Sequence, residues 1–175
     1  MKKFLAVLLL LCVALSLAAC NKDQTPDGMK DAAIENADYH LYVPEVWITT
    51  NTMGLSGAHA GAADKDFSPN VIVTVYYPDT AIDLPTYFTT VAKPQLDSTL
   101  EGLSMVEEGK AATLGGKDAA IYTYTYTLGG VAYKQMQVIA QNGYRIYTLT
   151  YTATADLYDT YAEEVNTILS EFTFK

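Results

Sequence analysis

Very little in this chain of 175 residues can form a covalent cross-link. Its two cysteines, Cys12 and Cys20, both fall in the first twenty residues. No pair remains beyond them, so no disulfide framework holds the domain and the core alone must. Histidine is as scarce. His40 and His59 are the only two, whereas a zinc site asks for three or four ligands. Basic charge is also short: 11 Lys and Arg stand against 20 Asp and Glu, a formal net charge of −9. That balance lacks the basic footprint of a nucleic-acid binder and excludes that class of partner. No glycine-lysine pair stands in phosphate-loop spacing, because Gly116-Lys117 runs into Asp118. No cofactor is implied by any motif.

One long hydrophobic run is present, and it is N-terminal. "MKKFLAVLLLLCVALSLAAC" carries two lysines, an apolar stretch and then small residues, the pattern of a secretory signal. The stretch Phe4 to Ala19 is short for a membrane span, which needs about 20 apolar residues. Leu17-Ala18-Ala19-Cys20 resembles a bacterial lipobox. The resemblance implies cleavage before Cys20 and acylation of its thiol, with residues 1–19 as signal peptide. The expected location is then the extracytoplasmic face of a bacterial membrane, held by lipid. Loss of Lys2 and Lys3 takes the formal charge from −9 to −11. The expected membrane tie is therefore the acyl chains and not a basic patch. Residues 20–38 are polar, with Pro26 and Gly28, and read as the lipidated cysteine and a flexible tether with a reach of roughly 20–25 Å.

Residues 39–175 read as a single domain, long enough to bury its own core. Residues 39–43 alternate as a strand, and "NVIVTVYYP" at 70–78 is apolar enough for a central one. Between them, residues 51–69 are rich in glycine and alanine and read as a long loop, with a weak strand near Met53 as an option. Asp83 and Pro85 open a helix whose face is Leu84, Tyr87, Phe88 and Val91, and Pro94 is expected to kink it. Strands follow over 104–113, 118–128, 131–140 and 144–153. Gly115-Gly116, Gly129-Gly130 and Asn142-Gly143 serve as turns. A closing helix with Asp156 as its cap carries Leu157, Tyr161, Val165, Ile168 and Leu169 on one stripe. The fold class is α+β: a mainly antiparallel sheet flanked by helices.

Within this sheet "IYTYTYTL" at 121–128 sets three tyrosines on one side of a strand. Two-residue hairpins fix which side chains share a face. A Gly129-Gly130 turn sets Tyr126 opposite Tyr133, Tyr124 opposite Gln135 and Tyr122 opposite Gln137. An Asn142-Gly143 turn sets Gln135 opposite Thr150 and Gln137 opposite Thr148. The opposite face, with Met136, Val138, Tyr147, Leu149 and Tyr151, is the better core. Tyr122, Tyr124, Tyr126, Tyr133, Gln135 and Gln137 therefore form a candidate binding face. Tyrosine offers contact area and a polar tip there, and the same face could instead pack under a helix.

The start Tyr39, Tyr42, Pro44 and Trp47 in "YHLYVPEVW", the "LGG" at 114–116, the "YTLTYT" at 147–152 and the closing "ILSEFTF" resemble the PsbP-like proteins. Val46 stands where that family usually has glycine, and Glu171 interrupts its usual Ser-Phe ending. The resemblance implies an α-β-α sandwich and a non-enzymatic binding or assembly module. It supplies no catalytic residues. The expected function is a lipid-anchored, extracytoplasmic binding or accessory module acting on an envelope protein or a small ligand. An assembly subunit of an envelope complex is one alternative. A small envelope hydrolase using Ser56 or the Asp64–Asp66 loop is another. Ser56 in "GLSGAHAG" misses the nucleophile elbow, since no helix pattern follows. "DKDFSPN" begins like a calcium loop, but Pro69 replaces its glycine and Val75 its closing glutamate. Trp47 is expected in the core.

Overall fold

The computed structural model describes residues 25–51, 53–61 and 67–175. Its centre is a seven-stranded sheet in the order β4-β5-β6-β10-β9-β8-β7, antiparallel throughout. These strands are β4 (Ile48–Thr49), β5 (Ser56–His59), β6 (Asn70–Tyr76), β7 (Glu101–Leu114), β8 (Lys117–Leu128), β9 (Val131–Asn142) and β10 (Arg145–Thr154). Two short pairs flank it. β1 (Met29–Asp31) joins β3 (Tyr42–Pro44), and β2 (Tyr39–His40) joins β11 (Thr173–Phe174). The helices are α1 (Leu84–Tyr87), a π-helical segment (Phe88–Ala92), α2 (Lys93–Thr99) and α3 (Ala162–Glu171). The α+β class and the helix-flanked antiparallel sheet are those expected.

Each face of the sheet has a helical cover. On one side Val165 and Ile168 of α3 bury against Val138, Leu149 and Tyr151, together with Leu41, Val43 and Trp47. On the other side Tyr87 and Phe88 bury against Tyr122, Ile139 and Ile146, with Val91 and Leu96 alongside. Asp83 caps α1 by accepting the Thr86 amide at 2.7 Å. The kink expected at Pro94 takes the form of the π segment just before it, where the Lys93 amide reaches back to the Phe88 carbonyl. A wider turn is one way to seat a ring that cannot continue the α-helical ladder.

Four expectations are corrected. Residues 29–38 are not tether: β1 pairs with β3, and Met29 and Ala32 enter the core. Residues 20–24 lie outside the described residues. Within 51–69 the strand is β5, starting three residues after Met53, and part of this region, 62–66, lies outside the described residues. The last hairpin turns on Gly143-Tyr144, not Asn142-Gly143, so Asn142 pairs with Arg145. Gly143 has φ 63° and Tyr144 is not among the residues of positive φ, the pattern of a type II′ turn with glycine first. Gln137 therefore faces Thr150 and Gln135 faces Thr152, a shift of two that leaves the face unchanged. Finally, Asp156 does not cap α3. A 3₁₀ turn over Tyr158–Tyr161 intervenes, and Tyr161 precedes the helix without a side-chain cap.

The sheet has two distinguishable ends. The chain arrives near Gly28, whose carbonyl accepts the Glu45 amide, beside Pro44. Val46, Gly61 and the Gly129-Gly130 turn share this proximal end. The distal end gathers Leu55, Tyr77, the Gly143-Tyr144 turn and the C-terminus, where the Lys175 amide donates to the Asp38 carbonyl.

Candidate functional site

The register places the expected tyrosine face as read: Tyr126 opposite Tyr133, Tyr124 opposite Gln135, Tyr122 opposite Gln137. That face is nevertheless not open, which corrects its reading as a free binding surface. Tyr122, Tyr124 and Tyr126 are buried, Tyr124 completely, while Tyr133, Gln135 and Gln137 are half-buried. Phe88 stacks on Tyr122, Tyr126 stacks on Tyr133, and Phe67 meets Tyr133 edge to face. The physical reason is area. A sheet face carrying four aromatics loses more by staying wet than by taking a helix across it. Burial pushes the Tyr122, Tyr124 and Tyr126 phenols up. The Tyr124 hydroxyl and the Gln137 side-chain carbonyl are buried with no hydrogen-bond partner among the described residues.

Ser56 is also structural. It is fully buried, lies 2.6 Å from the Tyr39 hydroxyl and accepts the Ile34 amide at 2.9 Å. His59, three residues along β5, points to the other face of that strand, and its Nδ1 lies 3.0 Å from the Ala60 carbonyl. Among the described residues, the hydrogen-bond partners of Ser56 are the Tyr39 hydroxyl and the Ile34 amide, neither of them a base. The Asp64–Asp66 loop and Cys20 lie outside the described residues. His40 meets Asp31 at 2.6 Å and stacks on Tyr42, far in role from His59. Among the described residues no three His, Cys, Asp or Glu side chains cluster to hold a metal ion. Trp47 is buried as expected, with its indole N–H donated to Glu164 at 2.6 Å and its ring edge-on to Tyr161.

What the sequence reading missed is at the distal end. A half-enclosed cavity of about 260 Å³ opens there between the 34–39 segment, the β4–β5 loop, β6 and the start of β10. Ile34, Leu55, Val73 and Val75 wall it, with Tyr39 and Tyr77. Arg145, the chain's only arginine, stands at its rim beside Asp38. Arg145 Nη1 donates to Asp38 Oδ2, and its guanidinium carbon lies 5.4 Å from the Tyr77 ring centre. The Tyr147 hydroxyl donates to the same Oδ2 at 2.5 Å. Burial and this bond push the Tyr147 phenol up to about 12. Contact with Tyr147 and Asp38 holds the guanidinium charge. Exposed side chains lie at this end: Tyr77, 66 % exposed, lines the cavity, while Met53 at 94 % and Tyr144 at 81 % adjoin its lining residues Gly54 and Arg145 in the chain. Among the described residues the two non-glycine residues of positive φ, Asn36 and Met53, both flank this end. Such backbone is uncommon and concentrates at functional places. The available signal was a lone arginine between Tyr144 and Tyr147, just after a hairpin turn.

The architecture around this site is that of the PsbP-like proteins, a sheet between helical layers. The solution structure of CyanoP, the cyanobacterial PsbP of Synechocystis, superposes with a TM-score of 0.57 at 13% identity, covering 91% of this chain and 99% of that one. LpqN of Mycobacterium tuberculosis, described as involved in cell envelope biogenesis, gives 0.61 at 22% identity over 85% of this chain and 92% of its own. The Ran-binding protein Mog1p of Saccharomyces cerevisiae gives 0.56 at 9% identity, over 83% and 95%. At these identities the likeness is one of fold. The sequence profile of the DcrB family matches residues 58–171, and the chain belongs to that family. No curated protein matches it in sequence.

Proposed function

We propose that this chain is a lipid-anchored, extracytoplasmic accessory module that binds and does not catalyse. The observation that carries the reading is the distal end. Exposed Tyr77 lines a preformed cavity there, and exposed Met53 and Tyr144 adjoin its lining residues Gly54 and Arg145. Exposed aromatics rimming a concavity are the composition of binding surfaces. That end is opposite Gly28, near the first of the described residues. A domain tied at its proximal end to the membrane presents its distal end outward.

The lipobox pattern and the acidic charge support attachment through acyl chains. The envelope role described for LpqN is consistent with this location. Among the described residues no helix is long and apolar enough to cross a membrane. The hydrolase reading loses its serine, because Ser56 is buried in a structural hydrogen-bond pair.

Cys20→Ala tests the anchor. The wild-type chain is expected in the detergent phase at mature length. The variant should remain unprocessed or be released. A mature-length variant that still partitions into detergent would overturn the reading.

A further inference from the structure

Charge balance at the distal cavity narrows what it can hold. The walls are apolar, and the rim carries one cation and one anion in contact, Arg145 and Asp38. Both remain partly open to solvent, at 45 % and 39 % of their side-chain surface. A simple carboxylate entering here meets Asp38, and a simple amine meets Arg145. In each case the like charge opposes the gain from the opposite one. A molecule with both charges satisfies both residues.

Hydrogen-bond capacity agrees. The Arg145 and Tyr147 donors both fall on Oδ2 of Asp38, so among the described residues Oδ1 keeps its acceptor sites. A guanidinium has five N–H donors in a fork suited to a carboxylate, and Asp38 takes one from Nη1. The Tyr77 ring and Asp38 fix the fork from two sides, so little order has to be imposed on binding. The cavity, at about 260 Å³, suits a small ligand rather than a drug-sized one.

We propose that this cavity binds a small zwitterion with an apolar body, the chemistry of a hydrophobic α-amino acid. Its carboxylate pairs with Arg145, its ammonium with Asp38 Oδ1, and its side chain lies against Ile34, Leu55, Val73 and Val75. The inference rests on the reading of the domain as a binding module and names the ligand class of that same site.

The test uses the full processed chain in lipid nanodiscs, with empty nanodiscs as control. Three probes share one ring: L-phenylalanine, phenylacetate and phenethylamine. Calorimetry and saturation-transfer NMR should show L-phenylalanine binding about tenfold or more tighter than either singly charged probe. Asp38→Asn should shift the preference toward phenylacetate, and Arg145→Gln toward phenethylamine. Should either charge variant lose its fold, Tyr77→Ala replaces it. That exposed ring steadies Arg145, and its loss should weaken L-phenylalanine about threefold or more at unchanged melting temperature. No saturable binding of L-phenylalanine, or an order of the three probes that the wild type and variants share, overturns the proposal. Such a failure leaves the accessory-module reading standing, because detergent partitioning of Cys20→Ala does not depend on this cavity.

Discussion

Phe88 lies face to face with Tyr122, ring centres 3.5 Å apart and planes 12° apart. The contact ties the π-helical segment to the middle of β8. It makes the tyrosine face a second core layer rather than a docking surface.

Truncating this layer should therefore cost stability. Phe88→Ala and Tyr124→Ala are each expected to lose about 3–5 kcal/mol, a fall of roughly 6–20 °C in melting temperature for a domain of this size. A double-mutant cycle between Phe88 and Tyr122 should return a coupling of about 0.5–1.5 kcal/mol. Thermal melts near the wild-type value would put the face back in solvent.

Trp47 is the only tryptophan, so intrinsic fluorescence reports on one buried place. Its emission should be blue-shifted in the native chain and move red only on global unfolding. Trp47→Phe keeps much of the packing but leaves Glu164 without its indole donor, at a cost of about 1.5–3 kcal/mol. Native emission already at the solvent-exposed wavelength would count against the burial.

High pH should unfold the domain through its phenols. Tyr147 and Tyr158 are both pushed up to about 12, chiefly by burial, from an ordinary value of 10.0. Between these values the unfolded chain holds fewer protons than the native one. The contribution is therefore whole below pH 10 and is lost as pH rises through about 12. Absorbance at the phenolate band and circular dichroism should change together in that interval. Smooth titration of every tyrosine with the fold intact would contradict it.

Gly115 and Gly116 form one turn but should respond differently to alanine. Both have positive φ, so each substitution carries backbone strain of about 1–2 kcal/mol. At Gly115 a Cβ would also stand 2.6 Å from the Phe174 ring, whereas at Gly116 nothing lies within 4 Å. Gly115→Ala should melt lower than Gly116→Ala, and equal melting temperatures would remove the steric part of the account.

Local rules made much of the fold legible. The paired glycines at 115–116 and 129–130 take positive φ at both positions, as tight hairpins require; the second pair fixed the β8–β9 register, while irregularities in β7 shift its pairing with β8 away from the first turn. Asp83 and Pro85 marked the first helix for the same local reason. Nonlocal facts were less visible. Asn142-Gly143 has the composition of a turn, but the observed turn needs only one positive φ and moves the pairing by two residues. The burial of Met29 and Ala32 depends on β3, ten or more residues away, which a polar stretch does not announce. The distal site was hidden for the same reason. Asp38 and Arg145 meet across more than a hundred residues, and no spacing in the sequence joins them.

The claim that the distal end is the working surface has one direct test. A photo-crosslinking residue replaces Tyr144 at the distal end or Leu128 at the proximal end, both exposed and in or beside hairpin turns. Crosslinking is then performed in intact cells carrying the full lipidated chain. The account predicts a discrete crosslinked protein from position 144 and lipid or no product from position 128. A discrete protein product from 128 with none from 144 would show that the working surface is the other end of the sheet.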